Sequence, residues 1–161
     1  MKEPNLEIKL SRRGMLFKIV RVATSKLITG KYHFSNVSEI TAEELHERID
    51  SNQPPLIIDT RSAQEFGTGF GHIPNSRLIP LMELVGSFGN IDKFKTAVKK
   101  FEAQFDEILP FTEQQVITIC PGGGFSLVAA EIMAEAGFKD VKSLSGGVDG
   151  WFKKGYPTGL S

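Results

Sequence analysis

Val116-Ile117-Thr118-Ile119-Cys120-Pro121-Gly122-Gly123-Gly124-Phe125-Ser126-Leu127-Val128-Ala129-Ala130-Glu131-Ile132-Met133-Ala134-Glu135-Ala136-Gly137 is the stretch that decides the fold. Its first four residues are a β-branched apolar run and predict a buried strand. Leu127 to Ala136 predict a helix that ends at Gly137. The three glycines between them let the chain curl tightly and turn its N–H groups inward. At the head of that loop stands Cys120, the single cysteine of the chain. A sulfur there faces backbone donors and the positive end of a helix macrodipole, and both favour an anion. The plain alternative is a small buried hydrophobe. A structural cysteine, however, does not need Pro-Gly-Gly-Gly after it, because each glycine raises the entropy cost of ordering the loop. The expected role of Cys120 is therefore chemical.

Outward from this segment, short apolar runs alternate with helical patterns. Thr41-Ala42-Glu43-Glu44 is a capping box that opens a helix through Ile49. Pro54-Pro55 precedes Leu56-Ile57-Ile58-Asp59, a buried strand that ends in an acid. Ala63 to Phe66 predict a short helical turn, Gly67 to Gly71 a loop, and His72-Ile73-Pro74-Asn75 a turn leading to Leu78-Ile79. Asp92 is expected to cap a helix whose apolar face carries Phe94, Val98, Phe101 and Phe105, a stripe read as core rather than as a cofactor site. Val141 to Leu144 predict another strand, and Ser145-Gly146-Gly147 turns into a last helix holding Trp151, read as core packing. Strands alternating with helices imply a mostly parallel α/β sheet covered on both faces. Sites in such sheets form outside the carboxyl ends of strands, where Asp59 and Cys120 both lie and are expected to be neighbours.

At 161 residues and 40% hydrophobic content, the chain is sized for one core. Nineteen basic and nineteen acidic side chains cancel, which gives no argument for nucleic acid. Residues 1–33 hold eight Lys or Arg against two Glu, a net +6, so the remainder holds eleven against seventeen, a net −6. One cysteine excludes an internal disulfide, and the three histidines have no ligand spacing, so neither a metal nor a cofactor is expected. No apolar stretch approaches the ~20 residues that cross a membrane.

We divide the chain into a basic N-terminal extension, residues 1–36, and a domain over residues 37–161. Ser11-Arg12-Arg13-Gly14 superficially resembles a twin-arginine signal, but Lys18, Arg21 and Lys26 interrupt the apolar region that must follow. An organelle transit peptide also fits the composition. So does an amphipathic helix with Leu16, Ile19, Val20, Ala23 and Leu27 on one face, packed on its own domain or meeting an anionic membrane or acidic partner through residues 9–31. A cytoplasmic location is the expectation, with export or organelle targeting as the alternative.

The domain resembles the rhodanese family over about residues 37–157. Asp59-Thr60-Arg61, Glu65-Phe66 and Gly71-His72-Ile73-Pro74 resemble one family block. Leu144-Ser145-Gly146-Gly147, Trp151, Gly155 and Pro157 resemble its closing block. Cys120 falls where the family carries its persulfide-forming cysteine, and Gly123 on that loop's usual glycine. The resemblance implies a five-stranded parallel sheet with helices on both faces and sulfurtransferase chemistry. Two departures stand out. Phe125 occupies the position of the arginine common in catalytic single-domain members, which removes a cation that would attract thiosulfate. The loop Gly67-Thr68-Gly69-Phe70 is longer than usual. Ser126 stands where the phosphatase-like version of the fold has its arginine, which argues against phosphate chemistry.

The expected mechanism places sulfane sulfur from a donor on Cys120 as a persulfide. The N–H groups of Gly122, Gly123, Gly124, Phe125 and Ser126 surround the outer sulfur. Ser126 adds a hydroxyl or merely caps the helix. An external thiol, cyanide or protein acceptor then removes the sulfur, since the chain has no second cysteine. The alternatives are a sulfur-carrier or interaction module with little thiosulfate activity, and an inactive regulatory domain. Asp59 and Arg61 are supporting residues: Arg61 is expected to pair with a carboxylate such as Glu65, and Asp59 to bond loop amides or cap the next turn. His72 is expected to bond backbone in a turn.

Overall fold

The computed structural model describes residues 37–81, 86, 87 and 90–160. The readings made for residues 1–36 lie outside the described residues. Among the described residues the order is β1 (Ser38–Ile40), α1 (Ala42–Ile49), β2 (Leu56–Asp59), α2 (Ala63–Gly67), β3 (Arg77–Leu78), α3 (Ile91–Glu102), β4 (Gln115–Ile119), α4 (Phe125–Glu135), β5 (Asp140–Leu144) and α5 (Gly147–Lys153). The strands form one parallel five-stranded sheet in the order β1-β5-β4-β2-β3. The α/β rhodanese-like architecture expected from the sequence is the one observed. No described helix is long and apolar enough to cross a membrane.

Period-two alternation along the strands sorts side chains onto two faces. Leu56, Ile58, Val116 and Val141 join a core with Phe94, Val98 and Phe101 of α3 and with Ala129, Ile132 and Met133 of α4. Ile57, Ile117, Ile119 and Leu144 face the other way and pack with Leu45 of α1 and Val148 and Trp151 of α5. Helices therefore cover both faces, as the runs of consecutive buried residues in β2 and β4 require.

Local signals mostly predict the ends of elements correctly. The Thr41–Glu44 capping box opens α1, and Ser62 with Glu65 forms a second box that opens α2. Asp92 does not cap α3. Asn90 does, its side chain accepting from the Lys93 N–H at 3.0 Å, so Asp92 falls within the first turn. Phe105 lies past the end of α3 but keeps its place in the core, edge-on to Phe101 with ring centres 5.0 Å apart. The short strand at the sheet edge is Arg77–Leu78, and the Ile79 N–H donates to the Asp59 carbonyl at 2.9 Å as part of its ladder with β2.

Candidate active site

Strand β4 delivers Cys120 to the carboxyl edge of the sheet, between its neighbours β2 and β5. By the same alternation Thr118 and Cys120 point toward α4, whereas Ile119 points toward α5. Helix α4 begins at Phe125, two residues earlier than the sequence suggests, because Gly124 already has helical backbone angles and serves as a cap without a side chain. The turn between strand and helix is consequently short.

The thiol is 2% exposed and held by two groups. The N–H of Gly123 donates to Sγ at 3.1 Å, and Sγ lies 3.3 Å from the Ser126 hydroxyl. The Gly123 backbone has φ +92, and a Cβ there would sit 3.0 Å from both the Leu144 carbonyl and the Gly146 nitrogen. Glycine at this position thus permits both the left-handed turn and the close approach. Gly122 and Gly124 complete the loop, and Phe125 stands at its rim, 42% exposed. The five-donor ring was expected around an outer sulfur. On the resting thiol, Gly123 through its amide and Ser126 through its hydroxyl are the contacts observed.

Ser126 does not cap the helix. Its hydroxyl lies between Cys120 Sγ and the Ser143 hydroxyl, 2.7 Å from the latter. Its carbonyl accepts from the Thr118 hydroxyl at 2.7 Å, which ties the first turn of α4 to β4. Thr118, Ser126 and Ser143 are all fully buried. Sequence reasoning missed Thr118 and Ser143. Register supplies the signal: Thr118 pairs with Ser143 across β4 and β5, so the two share a face, and a polar pair at matched inward positions calls for a polar neighbour.

The closing block supports the loop from the other side. The N–H groups of Val148 and Asp149, at the start of α5, donate to the carbonyls of Cys120 and Pro121 at 2.9 and 3.1 Å. Gly147 has φ +61, and a Cβ on it would fall 2.4 Å from the Cys120 carbonyl oxygen and 2.3 Å from that of Pro121. The Gly146-Gly147 pair therefore serves to bring α5 onto the cysteine loop. Trp151 is fully buried beneath it and donates its indole N–H to the Pro157 carbonyl at 3.0 Å, a packing role as expected.

Asp59 and Arg61 do not join the cysteine. Strands β2 and β4 are adjacent, with Asp59 level with Ile119, but both of those side chains lie on the α5 side of the sheet. Arg61 pairs with Asp59 and not with Glu65: Nε lies 3.0 and 3.1 Å from its carboxylate oxygens and Nη2 2.8 Å. The Glu65 carboxylate is engaged by Ser62 instead. Asp59 also accepts from the Arg61 backbone N–H at 3.0 Å, capping the turn, and Arg61 Nη2 donates to the Gly71 carbonyl at 2.8 Å. His72 bonds backbone as expected: its Nδ1 meets the Phe66 carbonyl at 2.8 Å, which fixes the proton on that nitrogen because a carbonyl only accepts.

Comparison with known proteins agrees with this geometry. The family model described as Rhodanese-like domain matches residues 41–154. A Bacillus subtilis protein described as "Putative sulfur carrier protein YrkF" is 28% identical over 74% of the chain, which spans 54% of that protein's length. A sulfurtransferase of Allochromatium vinosum is 24% identical, with 75% of this chain and 94% of that one covered. The crystal structure of a rhodanese-related protein from Thermoplasma volcanium superposes with a TM-score of 0.55 at 27% identity, over 77% of this chain and 99% of the other. Together these support a sulfur-transfer role at the level of the family. The chain belongs to the rhodanese-like domain family.

Proposed function

We propose that the protein is a sulfurtransferase that carries sulfane sulfur on Cys120 and passes it to an acceptor outside the chain. The observation that carries the reading is the pair of contacts on the thiol, the Gly123 N–H at 3.1 Å and the Ser126 hydroxyl at 3.3 Å. The Gly123 amide donates to the sulfur, and the Ser126 hydroxyl, which accepts from the thiol, can turn its own proton onto a thiolate; both at the start of a helix favour the anion. The Cys120 thiolate attacks the outer sulfur of a donor R–S–S⁻. A new S–S bond forms, the donor's S–S bond breaks, and R–S⁻ leaves with the electron pair. The product, Cys–S–S⁻, carries its charge on a sulfur about 2 Å beyond Sγ. There the loop amides from Gly122 to Ser126 are the groups available to stabilise it, in the manner of an oxyanion hole. An acceptor thiolate or cyanide then attacks that outer sulfur and restores the Cys120 thiolate.

Phe125 leaves the rim without a cation and half-exposes an apolar ring. Thiosulfate, a dianion, is therefore a poor donor, and a persulfide or polysulfide a better one. The carrier reading shares the same persulfide and differs in the acceptor, a partner protein in place of a small thiol. Intact mass after exposure to polysulfide tests the proposal. The wild-type protein gains the mass of one sulfur atom, reversibly on adding thiol, and Cys120→Ser gains none. Equal gain in both proteins would sink it. Brisk turnover of thiosulfate with cyanide would remove the carrier reading and the inference about Phe125.

A further inference from the structure

Proposed sulfur chemistry at Cys120 assigns no part to Ser143. Its hydroxyl is fully buried on β5, 2.7 Å from the Ser126 hydroxyl, which in turn lies 3.3 Å from the sulfur. The three groups form a line: sulfur, hydroxyl, hydroxyl. The backbone fixes both serines of that line, since Ser143 is held level with Thr118 in the sheet and the Thr118 hydroxyl holds the Ser126 carbonyl at 2.7 Å.

A hydroxyl has one proton and can accept from two directions. While Cys120 is a thiol, S–H donates to Ser126 Oγ, and Ser126 is free to donate onward to Ser143. Once the sulfur becomes an anion, by losing its proton to solvent base, it has nothing to donate. Ser126 must then turn its own proton toward the sulfur. That turn leaves the Ser126–Ser143 contact without a hydrogen unless Ser143 reverses as well and donates to Ser126. We infer that Ser143 is a positioning residue: by donating to Ser126 it keeps the Ser126 hydroxyl proton on the sulfur whenever the sulfur is anionic. A chain of aligned hydroxyls strengthens each bond through polarisation, so the second link reinforces the first. The inference deepens the proposed reaction, but its test does not depend on which donor supplies sulfur.

The measurement is the pH profile of Cys120 alkylation by iodoacetamide, with urea unfolding as a check on folding. Removing a hydroxyl that bonds the charged sulfur disfavours the anion, so Ser126→Ala should move the profile upward. Ser143→Ala, acting through Ser126, moves it upward by a smaller amount, because polarisation along the chain strengthens the first bond only fractionally. Ser143→Thr keeps the hydroxyl on a strand position suited to β-branching and restores the profile. The Ser126→Ala/Ser143→Ala double variant matches Ser126→Ala alone, because Ser143 has nothing left to act through. The inference is overturned if folded Ser143→Ala superposes on wild type. It is equally overturned if the two single shifts add in full. Wild-type protein that takes up no sulfur, yet shows the expected profiles, would defeat the proposed function and leave this role standing.

Discussion

At the end of β2, Arg61 turns its guanidinium onto Asp59 and the Gly71 carbonyl, with the Phe152 ring 5.8 Å from its centre. At the end of the adjacent β4, Cys120 lies among a glycine amide and two hydroxyls in a loop that opens toward Gly122 and Phe125. Both segments carry family motifs and both occupy strand ends, where sites form in parallel sheets. Their polar atoms are nevertheless used in opposite ways. The charge on Arg61 is neutralised inside the protein before any ligand arrives, and its donors lock the Gly71 loop in place. The Gly123 amide and the Ser126 hydroxyl are bonded to the Cys120 sulfur itself, so in the proposed reaction they act on whatever that atom becomes. A motif's place at a strand end does not settle its role; what its polar atoms already contact does.

The largest expected effect is on stability, at the β2 end. Arg61→Met leaves the Asp59 carboxylate buried without its cation, and breaking a buried pair in this way costs about 3–5 kcal/mol. Urea unfolding reads the loss. Adding Asp59→Asn to Arg61→Met removes the stranded charge and recovers part of it. Sulfur uptake per folded molecule should stay at the wild-type level in both. A deficit that outlasts correction for unfolding would mean that Arg61 reaches the sulfur chemistry, and the contrast between the two strand ends would be lost.

Much of this arrangement is legible in the residues. The β-branched runs, the Thr41–Glu44 capping box and the glycine loop mark their elements because each rests on local geometry. Cys120 is legible because a sulfur among glycines is chemically odd. What the sequence hides is sidedness. Asp59 and Cys120 sit at the ends of neighbouring strands, but Asp59 falls on the α5 side and Cys120 on the α4 side, which requires the β2–β4 register to be known. Ser143 is invisible for the same reason: only its pairing with Thr118 brings it to Ser126. The partner of Arg61 was misread because Glu65, four residues on, faces Arg61 in a continuous helix, whereas α2 starts only at Ala63 and turns Glu65 back to Ser62.

A middle-sized effect should follow from Gly147→Ala. The added Cβ would overlap the Cys120 and Pro121 carbonyls in a left-handed turn, with strain of roughly 1–3 kcal/mol. Gly146 supplies the control: it too has positive φ, but a Cβ there meets nothing. Both variants should lose stability, while only Gly147→Ala should also slow sulfur uptake, because only it displaces the cysteine loop. Equal uptake by the two would show that α5 does not hold the loop in its working shape.

The smallest effect concerns the rim. Phe125→Arg places a cation at the first turn of α4, where it opposes the helix dipole by about 0.3–1 kcal/mol. The side chain is 42% exposed, so the arginine has room to remain solvated. A dianionic donor near it gains on the order of 1 kcal/mol, or roughly a fivefold faster uptake from thiosulfate. A persulfide R–S–S⁻ with an uncharged organic group carries one charge in place of two and gains about half as much in free energy, roughly twofold. Salt distinguishes this from a change in loop shape: raising the ionic strength shortens the range of the attraction and should erase the gain. A gain that survives high salt, or is equally large for the persulfide monoanion, would mean that Phe125 limits access by bulk. The missing charge would then not be what sets the donor.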